Sequence, residues 1–95
     1  MNIFEHAKQF LLHIWGEVDD VVLVMFVFLT TAPMEKRIEL IQPLINEPLV
    51  SVTLEDVYPD EPNHLIIKVK TEERDGTIDF SARDISKSKN PNMLN

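Results

Sequence analysis

The chain has no cysteine among its 95 residues. Disulfides, thiolate nucleophiles, zinc–sulfur sites and iron–sulfur clusters are therefore excluded together. Glycine is almost as scarce, since only Gly16 and Gly76 are present. Phosphate-cradling loops need several glycines close together, so neither a Walker loop nor a dinucleotide fingerprint can be assembled. Long apolar runs are missing too. The longest, Val21 to Leu29, spans nine residues, whereas a helix needs roughly twenty to cross a bilayer. The first charge is Glu5, and the run follows Glu17, Asp19 and Asp20 rather than a basic start, which is unlike a secretory leader. With no repeat of useful period, the expectation is an untargeted, cytoplasmic chain.

Positive charge is in deficit. Nine Lys and Arg stand against sixteen Asp and Glu, a net charge of −7. Such a field repels nucleic-acid phosphate and anionic lipid and favours basic partners. The imbalance is local: residues 1–32 sum to −3, residues 33–63 to −5 and residues 64–95 to +1. A hydrophobic content of 44% suits one modest core and leaves no room for a second domain. Residues 1–85 are expected to form that single domain. Residues 86–95, SKSKNPNMLN, lack periodicity and are expected to be a flexible tail.

Ile3, Phe4, Ala7, Phe10, Leu11, Ile14 and Trp15 follow the spacing of one helical face, with Asn2 placed to cap it and Gly16 to end it. The run VVLVMFVFL holds four valines and two phenylalanines without polar alternation. It reads as a strand buried on both faces and central in its sheet, where Val24→Asp or Phe26→Asp would abolish folding. Pro33 and the spacing of Met34, Ile38 and Ile41 predict a second helix that stops near Gln42, before Pro43. Val50, Val52 and Leu54 alternate with polar residues, as do Leu65, Ile67 and Val69, and later Ile78, Phe80 and Ala82. Asp75-Gly76 is a hairpin signal. A two-residue turn there pairs Val69 with Ala82, Ile67 with Asp84, Ile66 with Ile85 and Glu72 with Asp79; a three-residue loop bulged at Gly76 is the alternative. The expected fold is thus α+β, in the order α-β-α-β-β-β, with one four-stranded mixed sheet and two helices on one face.

Candidate sites are few. His6 and His13 lie seven apart, two helical turns, too far to share a metal ion. Glu55, Asp56, Asp60 and Glu61, with His64 just beyond, gather around a two-proline loop. The spacing lacks the alternating acids, central glycine and terminal glutamate of a calcium loop, so no metal or other cofactor is expected. No serine stands on a glycine-flanked strand-to-helix turn, and no catalytic residues are assigned. The leading expectation is a small, acidic, non-enzymatic protein-binding module of the inhibitor, immunity or anti-defence kind, acting on a basic or nucleic-acid-binding protein but not on nucleic acid or membrane. Glu55, Asp56, Tyr58, Asp60 and Glu61 are its expected partner-binding residues, with Tyr58 supplying buried area among the acids. A homodimer or larger homo-oligomer, paired through a sheet edge or the first helix, is the alternative. An enzyme or metal-dependent module using His64 with Asp60 or Glu61 is the third.

Overall fold

Three helices precede three strands in the computed structural model, which describes residues 2–83. The helices are α1 (Ile3–Trp15), α2 (Asp20–Thr31) and α3 (Met34–Ile41), and a short 3₁₀ turn, Gln42–Leu44, follows. The strands are β1 (Leu49–Val57), β2 (His64–Thr71) and β3 (Asp75–Ser81), antiparallel in the order β1-β2-β3. The α+β class stands, but the four-stranded mixed sheet and the parallel crossover do not. The tail expected over 86–95 lies outside the described residues, as do Asp84 and Ile85.

The first helix forms where its caps place it. Asn2 accepts a hydrogen bond from the Glu5 amide at 2.9 Å, and Gly16 closes the helix at φ 81°, a left-handed conformation that glycine adopts without Cβ strain. Only part of its apolar face is covered. Ala7, Leu11 and Trp15 are buried, whereas Ile3, Phe4 and Phe10 are 52, 43 and 51% exposed.

The expected central strand is a helix. Asp19 caps α2 by accepting from the Val21 amide at 2.9 Å, and Thr30 and Thr31 bond their hydroxyls back to carbonyls of the preceding turn. Its uniform apolarity has a helical cause, because Val22, Leu23, Val27 and Leu29 are all buried and lie on two sides of the helix. Val24 is 54% exposed and Phe26 half-buried. A charge at Val24 therefore faces water rather than a core.

Helix α3 begins after Pro33 and ends where Pro43 opens the 3₁₀ turn. The Gln42 side chain then organises the way into β1: its amide donates to the Ile45 and Glu47 carbonyls and its oxygen accepts from the Leu49 amide. Helix α3 also covers the outer edge of β1. The Val52 amide donates to the Met34 sulfur at 3.2 Å, and Arg37 donates to the Val52 carbonyl at 3.1 Å.

The sheet register replaces the hairpin expected at Asp75-Gly76. Val69 pairs with Gly76, Ile67 with Ile78, Ile66 with Asp79 and Leu65 with Phe80, which leaves Glu72 and Glu73 as the two turn residues. This register completes three apolar rows on the helix-facing side: Val52-Val69-Gly76, Leu54-Ile67-Ile78 and Val57-Leu65-Phe80. The turn is built without glycine. The Thr71 hydroxyl accepts from the Glu73 and Arg74 amides at 3.3 and 3.2 Å, and Arg74 forms an ion pair with Glu47. That guanidinium, with the Thr71 hydroxyl, holds the Glu47 carboxyl below its ordinary range. Helices α2 and α3 lie on the apolar face and α1 flanks α2, so that one cluster of buried side chains runs from Ala7 to Ile78.

Candidate functional site

The acidic segment from 55 to 61 occupies the end of β1 and the loop into β2. Glu55 is the extra residue of a β-bulge, since Leu54 pairs with Ile67 while Asp56 already pairs with Ile66. Glu55, Asp56, Tyr58 and Asp60 are exposed. Asp56 spends one carboxylate oxygen on the Val57 amide, at 2.8 Å.

Glu61 is less free. It accepts from Arg83 at 2.9 Å, and its second oxygen lies 3.5 Å from Nδ1 of His64. On the ring's other side Nε2 of His64 is 3.7 Å from the Asp79 carboxylate. Tyr58 leans on the same imidazole, with ring centroids 4.3 Å apart and an interplanar angle of 53°. The His64 side chain is only 12% exposed, and both ring nitrogens are shielded from solvent without a hydrogen bond. Both carboxylates thus flank the ring without a hydrogen bond to it.

This cluster clamps the loop to the polar face of the sheet. It offers little as a metal centre, because its two carboxylates approach different ring nitrogens. Among the described residues no group of three His, Asp or Glu side chains converges as a metal site. Asp60, proposed with Glu61 as a partner of His64, stays exposed at the loop tip, and Asp79 takes that position. Sequence reasoning missed Asp79 because the Asp75-Gly76 turn placed it opposite Glu72. The true register puts it opposite Ile66, diagonal to His64. His6 and His13 are both exposed on α1.

The loop has a second attachment. Trp15 donates its indole N–H to the Tyr58 carbonyl, and the Asn63 side chain accepts from the Asp19 amide, both at 2.5 Å. Asn63 holds a left-handed backbone, φ 61°, which asparagine tolerates better than most residues. These two bonds seat the α1–α2 junction, with Glu17, Asp19 and Asp20, on the loop that carries Asp60 and Glu61. Two acidic segments about forty positions apart in sequence become neighbours.

No family model, curated protein or solved structure matches this chain. Among the described residues, no helix is long and apolar enough to cross a membrane.

Proposed function

We propose that the protein is a small non-enzymatic binding module, acting in the cytoplasm on a basic or nucleic-acid-binding protein in the manner of an inhibitor, immunity or anti-defence factor. The observation that carries this reading is the joining of the two acidic segments by the Trp15–Tyr58 and Asn63–Asp19 hydrogen bonds. On a chain of net charge −7, they tie the junction carrying Glu17, Asp19 and Asp20 to the loop that follows Asp56 and carries Asp60, so that the fields of the two segments add. Tyr58, 38% exposed among them, can bury ring area against a partner. Glu55 extends the same surface along the bulge, while Glu61 serves it indirectly by holding the loop through Arg83 and His64.

Capture with tagged protein from cell extract, repeated with Asp56→Asn/Asp60→Asn, tests this. Partners should be basic, released by salt and lost from the variant, because exposed charges act through screened long-range attraction. Partners retained equally by the variant and in high salt would refute it. Self-association through α1 is the second reading, favoured by the exposure of Ile3, Phe4 and Phe10. Native mass spectrometry decides it: a stable dimer abolished by Phe10→Ser supports assembly, and a monomer excludes it.

A further inference from the structure

Among the described residues, a second apolar surface is left open along α2. Val21, Val24, Met25 and Phe28 follow i, i+3, i+4, i+7 spacing and form one wall of a groove whose other wall is Leu40 of α3. The groove has a volume of about 430 Å³ and opens onto a second depression of about 380 Å³, lined by Phe28, Ala32, Lys36, Glu39 and Leu40. Val21, Val24 and Leu40 are 49, 54 and 48% exposed.

From these walls we infer that the groove is a docking site for an amphipathic helix of a partner protein, with apolar anchors at helical spacing and basic residues flanking them. The inference rests on the protein-binding reading above and names the element that would be bound. Three features select a helix. The walls beside α2 present almost no hydrogen-bonding groups, so an extended peptide could not satisfy its backbone there, whereas a helix satisfies its own. The twelve residues of α2 give about 18 Å of axis at roughly 1.5 Å per residue, the length of about three helical turns. The exposed stripe also has the spacing that interdigitates with a second helix.

Charge selects a basic one. Asp20 lines the groove, while Glu39 and Lys36, 3.8 Å apart, both line the adjoining depression and offset each other, which leaves Asp20 as the uncompensated charge. Arg37 is turned inward onto the Ala32 and Val52 carbonyls. The Asp20 end continues into the acidic junction held on the β1–β2 loop, so a basic flank on the occupant would meet carboxylates beyond the groove itself. A second copy of this chain would bring its own charge of −7 against that rim.

The test uses a synthetic fluorescent peptide with leucines at helical spacing on one face and lysines flanking them. A scrambled peptide of the same composition isolates geometry from charge. Wild-type protein should bind the ordered peptide at least tenfold more tightly than the scrambled one. Val24→Asp and, from the other wall, Leu40→Ser should each lose at least tenfold while keeping the wild-type circular dichroism spectrum. Equal binding of the two peptides, or undiminished binding by both folded variants, overturns the inference. So does a wild-type dimer that Val24→Asp converts to monomer, because the groove's occupant is then a second copy. The same variants separate this inference from the broader reading. If captured partners are lost from Asp56→Asn/Asp60→Asn but kept by Val24→Asp and Leu40→Ser, the acidic surface stands and the groove is not its partner's seat.

Discussion

Two valines on α2, two positions apart, should respond very differently to the same change. Val22 is fully buried, while Val24 is 54% exposed. In Val22→Ala two carbon atoms leave the core and a cavity forms between α2 and its neighbours. The lost burial and the cavity together cost about 2–3 kcal/mol. For a domain of this size each kcal/mol lowers the melting temperature by about 4–8 °C, so a fall of about 8–24 °C is expected. Val24→Ala removes atoms already half in water, and alanine regains about 0.5 kcal/mol of helix propensity. Its melting temperature should stay within about 4 °C of wild type, by the same conversion. Thermal melts followed by far-ultraviolet circular dichroism measure both. Equal losses at the two positions would refute the helical assignment, because a strand buried on both faces treats neighbouring valines alike.

The glycines should divide in the same way. Gly16→Ala is expected to cost about 1 kcal/mol, because φ is 81° there, whereas Gly76→Ala should be neutral or stabilising, since its new Cβ would sit 3.7 Å from Val69 in ordinary contact. A destabilising Gly76→Ala would return the turn to Asp75-Gly76. Asn63→Ala removes the acceptor for the Asp19 amide and puts alanine in a left-handed conformation. A stability loss of about 1–3 kcal/mol in denaturant titration is expected, and no loss would mean that the loop tether contributes nothing. Glu47 is depressed below 4.5 by its hydrogen bonds to Arg74 and Thr71. Its contribution is therefore complete above the unfolded value and disappears as pH falls through the lower folded value. Glu47→Gln should melt below wild type at neutral pH, with the gap closing as pH drops beneath about 4.5; a gap independent of pH would exclude the ion pair as its source.

The first and third helices were legible because their boundaries are written in chemistry as well as periodicity: Asn2 and Gly16 bracket one, Pro33 and Pro43 the other. The second was misread for a physical reason. An apolar run with no polar partner has no period, and β-branched residues then argue for a strand. Asp19 carried the missed signal. It caps the segment, and the twelve residues from Asp20 to Thr31 exceed the usual length of a buried strand. Of the sheet's inward set, Val52, Leu54, Leu65, Ile67, Val69, Ile78 and Phe80 were recovered from alternation, whereas Val50 is 48% exposed because the irregularity between Leu49 and Ser51 buries Leu49 instead. Alternation also does not fix register. Any even shift keeps the same faces. Asp75-Gly76 offered one such register, and core pairing of Ile67 with Ile78 and Leu65 with Phe80 selected another, with a turn that sequence motifs do not advertise.

The register error also hid half of the candidate site. Moving β3 by six residues relative to β2 keeps each side chain on its own face, so alternation does not record it, yet on the polar face it exchanges all partners. Asp79 moves from Glu72, a like charge, to the diagonal of His64, an opposite charge when the ring is protonated. The joining of the two acidic segments was equally invisible, for it depends on Trp15 and Asn63, whose bonds span forty-three and forty-four residues. Composition correctly announced an acidic surface but had no means of locating it. Two side-chain-to-backbone hydrogen bonds convert a dispersed excess of charge into a local one, and they set its boundary at Asp20, where the apolar groove begins. A partner carrying both basic and apolar side chains would find both complements along one continuous path, from the loop acids to Phe28. That adjacency, rather than the charge alone, gives the surface a direction and a register.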